Sequence, residues 1–346
     1  MDRIKGKSSR LLRGILTAAV TACLFACTPR DRYIAITGYA QGGTYAVKLN
    51  REGVRESPEQ IHTAIEAILR DIDTSLSGYN PGSLLSRYNK GENIIPNGLL
   101  QDIFSQSRLI YEKTGGAVDV AAAELYDAWG FGFTGDSLPA ADRIAAILAR
   151  CGMDRLPADF PAGKREGPVV KLNFNAVAQG YSCDTVARYL YSIGVKDMLV
   201  DIGEIYCDGL NPAGKPWSIG IDRPVDGNLS PGSDLEAIWQ SGGRAAGIVT
   251  SGNYRKFHIR DGRKYAHTID PRTGYPVQHN LLSATIVAPN AFLADAYATY
   301  CMVVGLEKAE AFIRGDDAVE GYLIYDEEGK MREWASEGFR PVSANP

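Results

Sequence analysis

The chain has only four histidines and six cysteines, and no two of those cysteines have Cys-x-x-Cys spacing. Zinc-finger and thioredoxin-like redox motifs are therefore excluded. There is no His-Glu-x-x-His pair and no Gly-x-Ser-x-Gly elbow, so neither a zincin nor an α/β-hydrolase is supported. Internal repeats and low-complexity tracts are absent. Nor is there an excess of positive charge, with 37 Lys and Arg against 41 Asp and Glu. The formal net charge is −4, and the first 26 residues, with five basic side chains and Asp2, contribute +4 of their own, leaving −8 for the rest. Nucleic-acid binding needs a basic face, which this balance does not provide. Beyond residue 26 no apolar run is long enough to span a bilayer.

What the chain does have begins with a leader. Arg3, Lys5, Lys7, Arg10 and Arg13 precede a largely apolar run from Ile15 to Ala26, which is too short for a comfortable membrane span. The run ends Leu24-Phe25-Ala26-Cys27, a lipobox-like sequence. The expected organisation is a lipoprotein signal peptide over 1–26, a lipidated Cys27 and tether over 27–33, and one domain over 34–346. The other reading is an ordinary secretory signal with an incidental cysteine. No Asp follows Cys27, which favours the outer membrane and a periplasm-facing domain. Export argues against kinase-type chemistry, because ATP is scarce outside the cytoplasm. It permits disulfides, yet Cys151, Cys183, Cys207 and Cys301 read as buried free thiols.

The hydrophobic pattern is that of an α+β protein. Ile34 to Leu49 reads as strand, turn and strand around Gln41-Gly42-Gly43. Ser57 and Gln60 form a capping box ahead of a helix whose stripe is Ile61, Ala64, Ile65, Ile68, Leu69 and Ile72. Further helices are expected over Leu99–Thr114, Pro139–Cys151, Gly180–Ile193, Asn290–Val304 and Leu306–Phe312. Strands are expected over Val169–Phe174, Met198–Ile202, Trp217–Ile221, Ala246–Thr250, Leu281–Val287 and, closing the fold, Gly321–Tyr325. The segment from Val169 to Ile202 reads as a βαβ-like unit.

Three polar, glycine-punctuated clusters carry the chemistry: Thr250 to Tyr254, Tyr265 to Pro276, and Ala294 to Thr299. His267 and Asp270 flank an Asp-Pro turn. His267 is either a general base or phosphate contact, or a structurally satisfied histidine. Asp295 and Thr299 lie four apart on a helix and so share a face. Such a pair suits a hard cation such as Mg²⁺, or simply solvates the helix. Asn173 to Tyr181 leads a strand into a helix, where backbone N–H groups can face phosphate, but its glycines match neither a Gly-x-Gly-x-x-Gly nor a P-loop. Tyr79 is either a stacking platform or a surface tyrosine.

The order of these elements resembles the ApbE family of FAD:protein FMN transferases. Ser77, Tyr79, Ser83 and Asn89 match its first element. Gly116-Ala117-Val118-Asp119, followed by Trp129 to Gly132, matches the second, and Ala178-Gln179-Gly180-Tyr181-Ser182-Cys183-Asp184 the third. The three polar clusters complete the series. The resemblance implies an ApbE-like mixed fold, with antiparallel-rich sheets flanked by helices. It implies FAD as substrate, Mg²⁺ as cofactor, and transfer of FMN to a Thr or Ser hydroxyl of a partner protein with release of AMP. Partners would carry a Ser/Asp-Gly-Ala-Thr/Ser-like site. By the same resemblance Ala176, Asp295 and Thr299 hold the metal. Gln41, Tyr79, Ala117, Val118, Asp119, Asn173, Gln179 and Ile269 contact FAD, and His267 helps the acceptor hydroxyl lose its proton. Asp270, on the loop before, is expected to be catalytic too and could reach the place of Asp295 and Thr299. Gln179 stands where the family often has Lys or Glu, and Gly203 follows Ile202 where a second Gly is usual. Two rival readings stay open: a metal-dependent FAD pyrophosphatase, and a non-catalytic FAD-binding lipoprotein.

Overall fold

The computed structural model describes residues 32–344, apart from 134–137, 162–166, 229, 231, 255, 256, 261 and 262, with backbone alone at 257–260 and 263–264. The leader and Cys27 lie outside these residues. The chain opens with strands β1 (Tyr33–Ala40) and β2 (Gly43–Asn50), then helices α1 (Pro58–Leu76), α2 (Leu84–Asn89), α3 (Gly98–Lys113), α4 (Ala123–Ala128), α5 (Ala141–Leu148) and α6 (Ala178–Ser192). Strands β3 (Met198–Asp201), β4 (Ile205–Asp208), β5 (Ser218–Asp222), β6 (Leu235–Gln240), β7 (Ala246–Gly252), β8 (Phe257–Arg260), β9 (Arg263–Ala266), β10 (Ile269–Asp270), β11 (Tyr275–Pro276) and β12 (Leu281–Ala288) follow. The chain ends with α7 (Ala291–Val304), α8 (Leu306–Arg314), β13 (Glu320–Glu327), β14 (Lys330–Ala335) and β15 (Val342–Ser343).

The frame is an eight-stranded sheet of order β1-β2-β3-β4-β7-β12-β13-β14. All its pairings are antiparallel. Helices cover one face and the three-stranded sheet β15-β6-β5 covers the other. Successive residues of a strand point to opposite faces. Val249 and Ile286 therefore enter the helix-side core, while their neighbours Ile248 and Val287 join Trp217, Ile219 and Trp239 beneath the small sheet. Burial on both faces explains why β12 is apolar nearly throughout rather than alternating.

Local chemistry accounts for several expected elements. The β1–β2 turn has positive φ at Gln41 (52°) and Gly42 (82°), the conformation of a two-residue hairpin turn. At the start of α1, Ser57 accepts the Gln60 N–H and Gln60 accepts the Ser57 N–H, closing the capping box. The expected βαβ-like unit does not form. Residues 169–174 form no strand and join no sheet, because side chains from α2 take hydrogen bonds a ladder would use. Asn89 donates to the Leu172 carbonyl and accepts the Leu172 N–H, both at 2.8 Å, and Tyr88 donates to the Val170 carbonyl at 3.2 Å. Pro139 lies before the Ala140 cap, so α5 is shorter than its expected span. β13 is not the closing strand, since β14 and β15 follow it.

Candidate functional site

The site is assembled around a close approach of α6 and α7. Gly180, in the first turn of α6, lies so near α7 that a Cβ there would sit 2.3 Å from the Ala291 carbonyl oxygen and 2.9 Å from Asp295 Cβ. Gly247 does the same for β7, where a Cβ would meet the Ala291 nitrogen at 2.3 Å. Asp184, one turn along α6, accepts the Ala291 and Phe292 N–H groups at 2.8 and 2.9 Å. Asn290 accepts the Leu293 N–H at 2.8 Å. The first N–H groups of α7 are thus capped from two directions. Burial pushes the Asp184 carboxyl up to about 6, against the opposing pull of those two N–H donors.

This contact sets Asp295 in the lining of a cavity of about 590 Å³. Its side chain is 5% exposed, and its Oδ2 accepts the Gly180 N–H at 3.1 Å. Burial drives the Asp295 carboxyl well above the ordinary carboxylate range; the Gly180 N–H opposes this, and the nearby Asp184 carboxylate adds to it. Thr299, one turn further along α7, and Ala176, on the loop before α6, line the same cavity. The donors here are oxygens. Among the described residues no group of three His, Cys, Asp or Glu side chains could hold a metal. A carboxylate, a hydroxyl and a loop carbonyl fit Mg²⁺, which typically takes one or two carboxylates and completes its shell with water and substrate phosphate. A carboxylate whose charged form is disfavoured by burial is where a cation would favour the charged form again.

The rim is aromatic. After α4 the chain folds back on itself: Tyr126 accepts the Phe131 and Gly132 N–H groups at 2.9 Å, and Asp127 accepts the Phe133 N–H at 2.8 Å. The three aromatics of this run then part company. Trp129 is 6% exposed, donates its indole N–H to the Gly274 carbonyl at 2.9 Å, and belongs to a core with Ile144, Ile147 and Ile269. Phe131 lines the cavity and meets the His267 ring edge-on at 6.4 Å. Phe133 packs edge-on beneath Tyr79 at 5.0 Å. Tyr79 is 67% exposed, and its hydroxyl accepts from Asn175 at 3.1 Å, so it is braced on two sides at the mouth.

Of the residues expected at the site, the fold brings Tyr79, Asp119, Asn173, Ala176, Gln179, His267, Asp295 and Thr299 to this one cavity. Asp119 lines it while serving the backbone: its carboxylate accepts the Ala121 N–H at 2.7 Å and the Met153 N–H at 3.1 Å, and burial pushes it up to about 6. Gln179 donates to the Ile202 carbonyl at 3.2 Å, lying where a Cβ on Gly203 would stand 2.3 Å away. Other expected residues are elsewhere. Ala117 and Val118 are buried at 1% and 3%, and Ile269 at 1% joins the Trp129 core. Asp270 accepts a two-pronged bond from Arg272, at 2.9 and 2.8 Å. Gln41 donates to Ser182 and so ties the β1–β2 turn to α6.

Sequence reasoning did not single out Glu204, Tyr126, Asn175, Met302 or Val303, which also line the cavity. The signal for Met302 and Val303 was present: they fall one turn beyond Thr299 on the same helix. Glu204 sits at the tight β3–β4 connection, where only the folded hairpin reveals which way the chain turns.

A family model described as the ApbE family matches residues 41–323. A Haemophilus influenzae protein named FAD:protein FMN transferase is 33% identical over 312 residues, covering 87% of this chain and 89% of its own. The Escherichia coli K12 protein of the same name is 32% identical over 295 residues, covering 82% and 81%. Among solved structures, the flavin transferase ApbE from Vibrio cholerae superposes with a TM-score of 0.76 at 29% identity, over 88% of this chain and 97% of that one. The apo form of the Pseudomonas stutzeri flavinyl transferase ApbE gives 0.75 at 32%, over 88% and 95%.

Proposed function

The chain belongs to the ApbE family, and from that membership we propose that it is an FAD:protein FMN transferase using Mg²⁺, with a Thr or Ser hydroxyl of a partner protein as acceptor. The observation that carries this reading is that one cavity is lined by both kinds of group: the oxygens of Asp295 and Thr299 with Ala176, and the rings of Phe131, His267 and Tyr79. A pyrophosphate suits the first set and a flavin ring the second.

The acceptor oxygen forms a bond to the FMN phosphorus of FAD. The bond from that phosphorus to the bridging oxygen breaks, and AMP leaves with the electron pair. His267, at the cavity wall, takes the hydroxyl proton. Asp295, Thr299 and the Ala176 carbonyl would hold Mg²⁺, which supplies stabilisation of the charge that builds on the pyrophosphate. Gly180 and Asp184 fix α7, and so fix where Asp295 stands. Tyr79 and Phe131 orient the ring system and exclude water from its face. Positioning and preorganised charge carry most of such phosphoryl-type transfers.

Anchoring through Cys27, a periplasm-facing position and an acceptor segment of the Ser/Asp-Gly-Ala-Thr/Ser type belong to the same proposal. Intact mass of an acceptor domain incubated with the chain from Thr28 onward, FAD and Mg²⁺ tests it. A gain of one FMN less water, abolished by EDTA, is expected. Metal-dependent AMP release without an adduct would mean a pyrophosphatase, and bound FAD with neither product a binding protein.

A further inference from the structure

The two edges of the main sheet are treated differently. At one edge, β14 carries Lys330, Arg332 and Glu333, charges that discourage another strand from pairing. At the other edge, β1 reads Tyr-Ile-Ala-Ile-Thr-Gly-Tyr-Ala, with neither a charge nor a proline in eight residues. Among the described residues no strand pairs with its outer side. Its free face is uncharged too: Ala35, Thr37 and Tyr39 are exposed, Tyr39 at 71%. A long uncharged edge is a template for strand addition, and proteins that leave one open risk aggregation unless it is used.

The register says which backbone groups are on offer. Ala40 pairs with Gly43 across a two-residue turn, so those two exchange hydrogen bonds. Alternation then directs Gly38, Ile36 and Ile34 toward β2. The N–H and C=O groups of Tyr39, Thr37, Ala35 and Tyr33 point to the open side.

The edge also leads to the site. β1 ends at Ala40, and the next residue, Gln41, donates to Ser182. Ser182 in turn donates to the Ala178 carbonyl at 2.7 Å, beside the cavity-lining Gln179. The register also puts the β1–β2 turn at the same end of the sheet as the β3–β4 connection, whose Glu204 lines the cavity, so a strand laid along β1 runs toward the cavity end of the sheet. Resting on the transferase reading, we infer that an extended, uncharged segment of the acceptor protein pairs with β1 and so presents its hydroxyl. Main-chain bonds from four residues of β1 would tolerate varied acceptor sequences, because they read backbone rather than side chains.

Thr37→Pro removes an outward N–H while leaving the β2 ladder intact, and edge strands accept proline. Thr37→Lys, a second variant with the backbone unchanged, places a charge on the same strand. The assay follows flavinylation of a folded acceptor domain carrying a Ser-Gly-Ala-Thr segment, with FAD affinity measured in parallel by flavin fluorescence. The expected result for Thr37→Pro is a KM for the acceptor raised about tenfold, the equivalent of one lost backbone bond at about 1.4 kcal/mol, with FAD affinity unchanged. Thr37→Lys should shift KM in the same direction. Unchanged acceptor KM in both variants overturns the proposal. So does a wild-type dimer that both variants convert to monomer without altering that KM, since the edge would then serve self-association. Failure of the wild-type chain to form any adduct would instead contradict the transferase reading itself.

Discussion

Replacing Gly180 by Ala should damage activity far more than stability. The added Cβ would lie 2.3 Å from the Ala291 carbonyl oxygen, 2.7 Å from its carbon and 2.9 Å from Asp295 Cβ. Ordinary contacts are about 3.5 Å, so α6 and α7 must part by roughly 1 Å. Overpacking of this kind costs about 1–3 kcal/mol, and Ala returns about 0.5–1 kcal/mol over Gly within a helix. The net loss is about 0–2.5 kcal/mol. For roughly 300 ordered residues the unfolding entropy at Tm is about 0.6 kcal/mol/K, which makes the shift at most about 4 °C. Displacing Asp295 by 1 Å is worth about 100-fold in rate. Thermal melting beside FMN transfer by intact mass reads both quantities. Gly98→Ala, within α3 and with nothing within 4 Å of its Cβ, is the control: it should leave transfer unchanged and raise Tm by about 1–2 °C. Transfer by Gly180→Ala within twofold of wild type would refute the claim that this contact sets the catalytic geometry.

Asp184→Ala leaves the Ala291 and Phe292 N–H groups without their acceptors and should cost about 3 kcal/mol, or roughly 5 °C by melting, together with most of the activity. Asp119→Asn has a pH-dependent effect. Burial raises the folded Asp119 carboxyl to about 6, above the unfolded value, so wild type gains stability from this group below about pH 4 and loses it as pH rises through 6. The loss is about 3 kcal/mol, and urea unfolding should find Asp119→Asn more damaging at pH 4.5 than at pH 7.5. His267→Ala should reduce transfer by about 10²–10⁴-fold with FAD affinity retained; an equal loss of FAD binding would reassign it to substrate contact.

Much of the fold was legible because its signals are local. The Ser57–Gln60 capping box, the Gln41-Gly42 turn and the apolar periodicity of α1 depend on residues close in sequence. The segment at 169–174 was misread because its apolar residues look strand-like, while its hydrogen bonds go to Asn89 and Tyr88, which no local pattern discloses. The site divided along the same line. Asp295 and Thr299 share a helix face at spacing four, so their association was visible. Asp270 has the right chemistry and the right neighbourhood, but Arg272, two residues on, claims its carboxylate. Gln41 was placed at the site, and the fold instead uses it to brace α6 through Ser182. Gly180 and Asp184 stood in a recognisable motif, yet their purpose, bringing α7 against α6, exists only once both helices are packed.

The measurement that most directly tests the account is the ratio of AMP released to acceptor flavinylated, in wild type and in Asp295→Ala, at saturating Mg²⁺. The account predicts one AMP per adduct in wild type and neither product in the variant. AMP in excess of adduct, or an adduct still formed by Asp295→Ala at the wild-type rate, would contradict it.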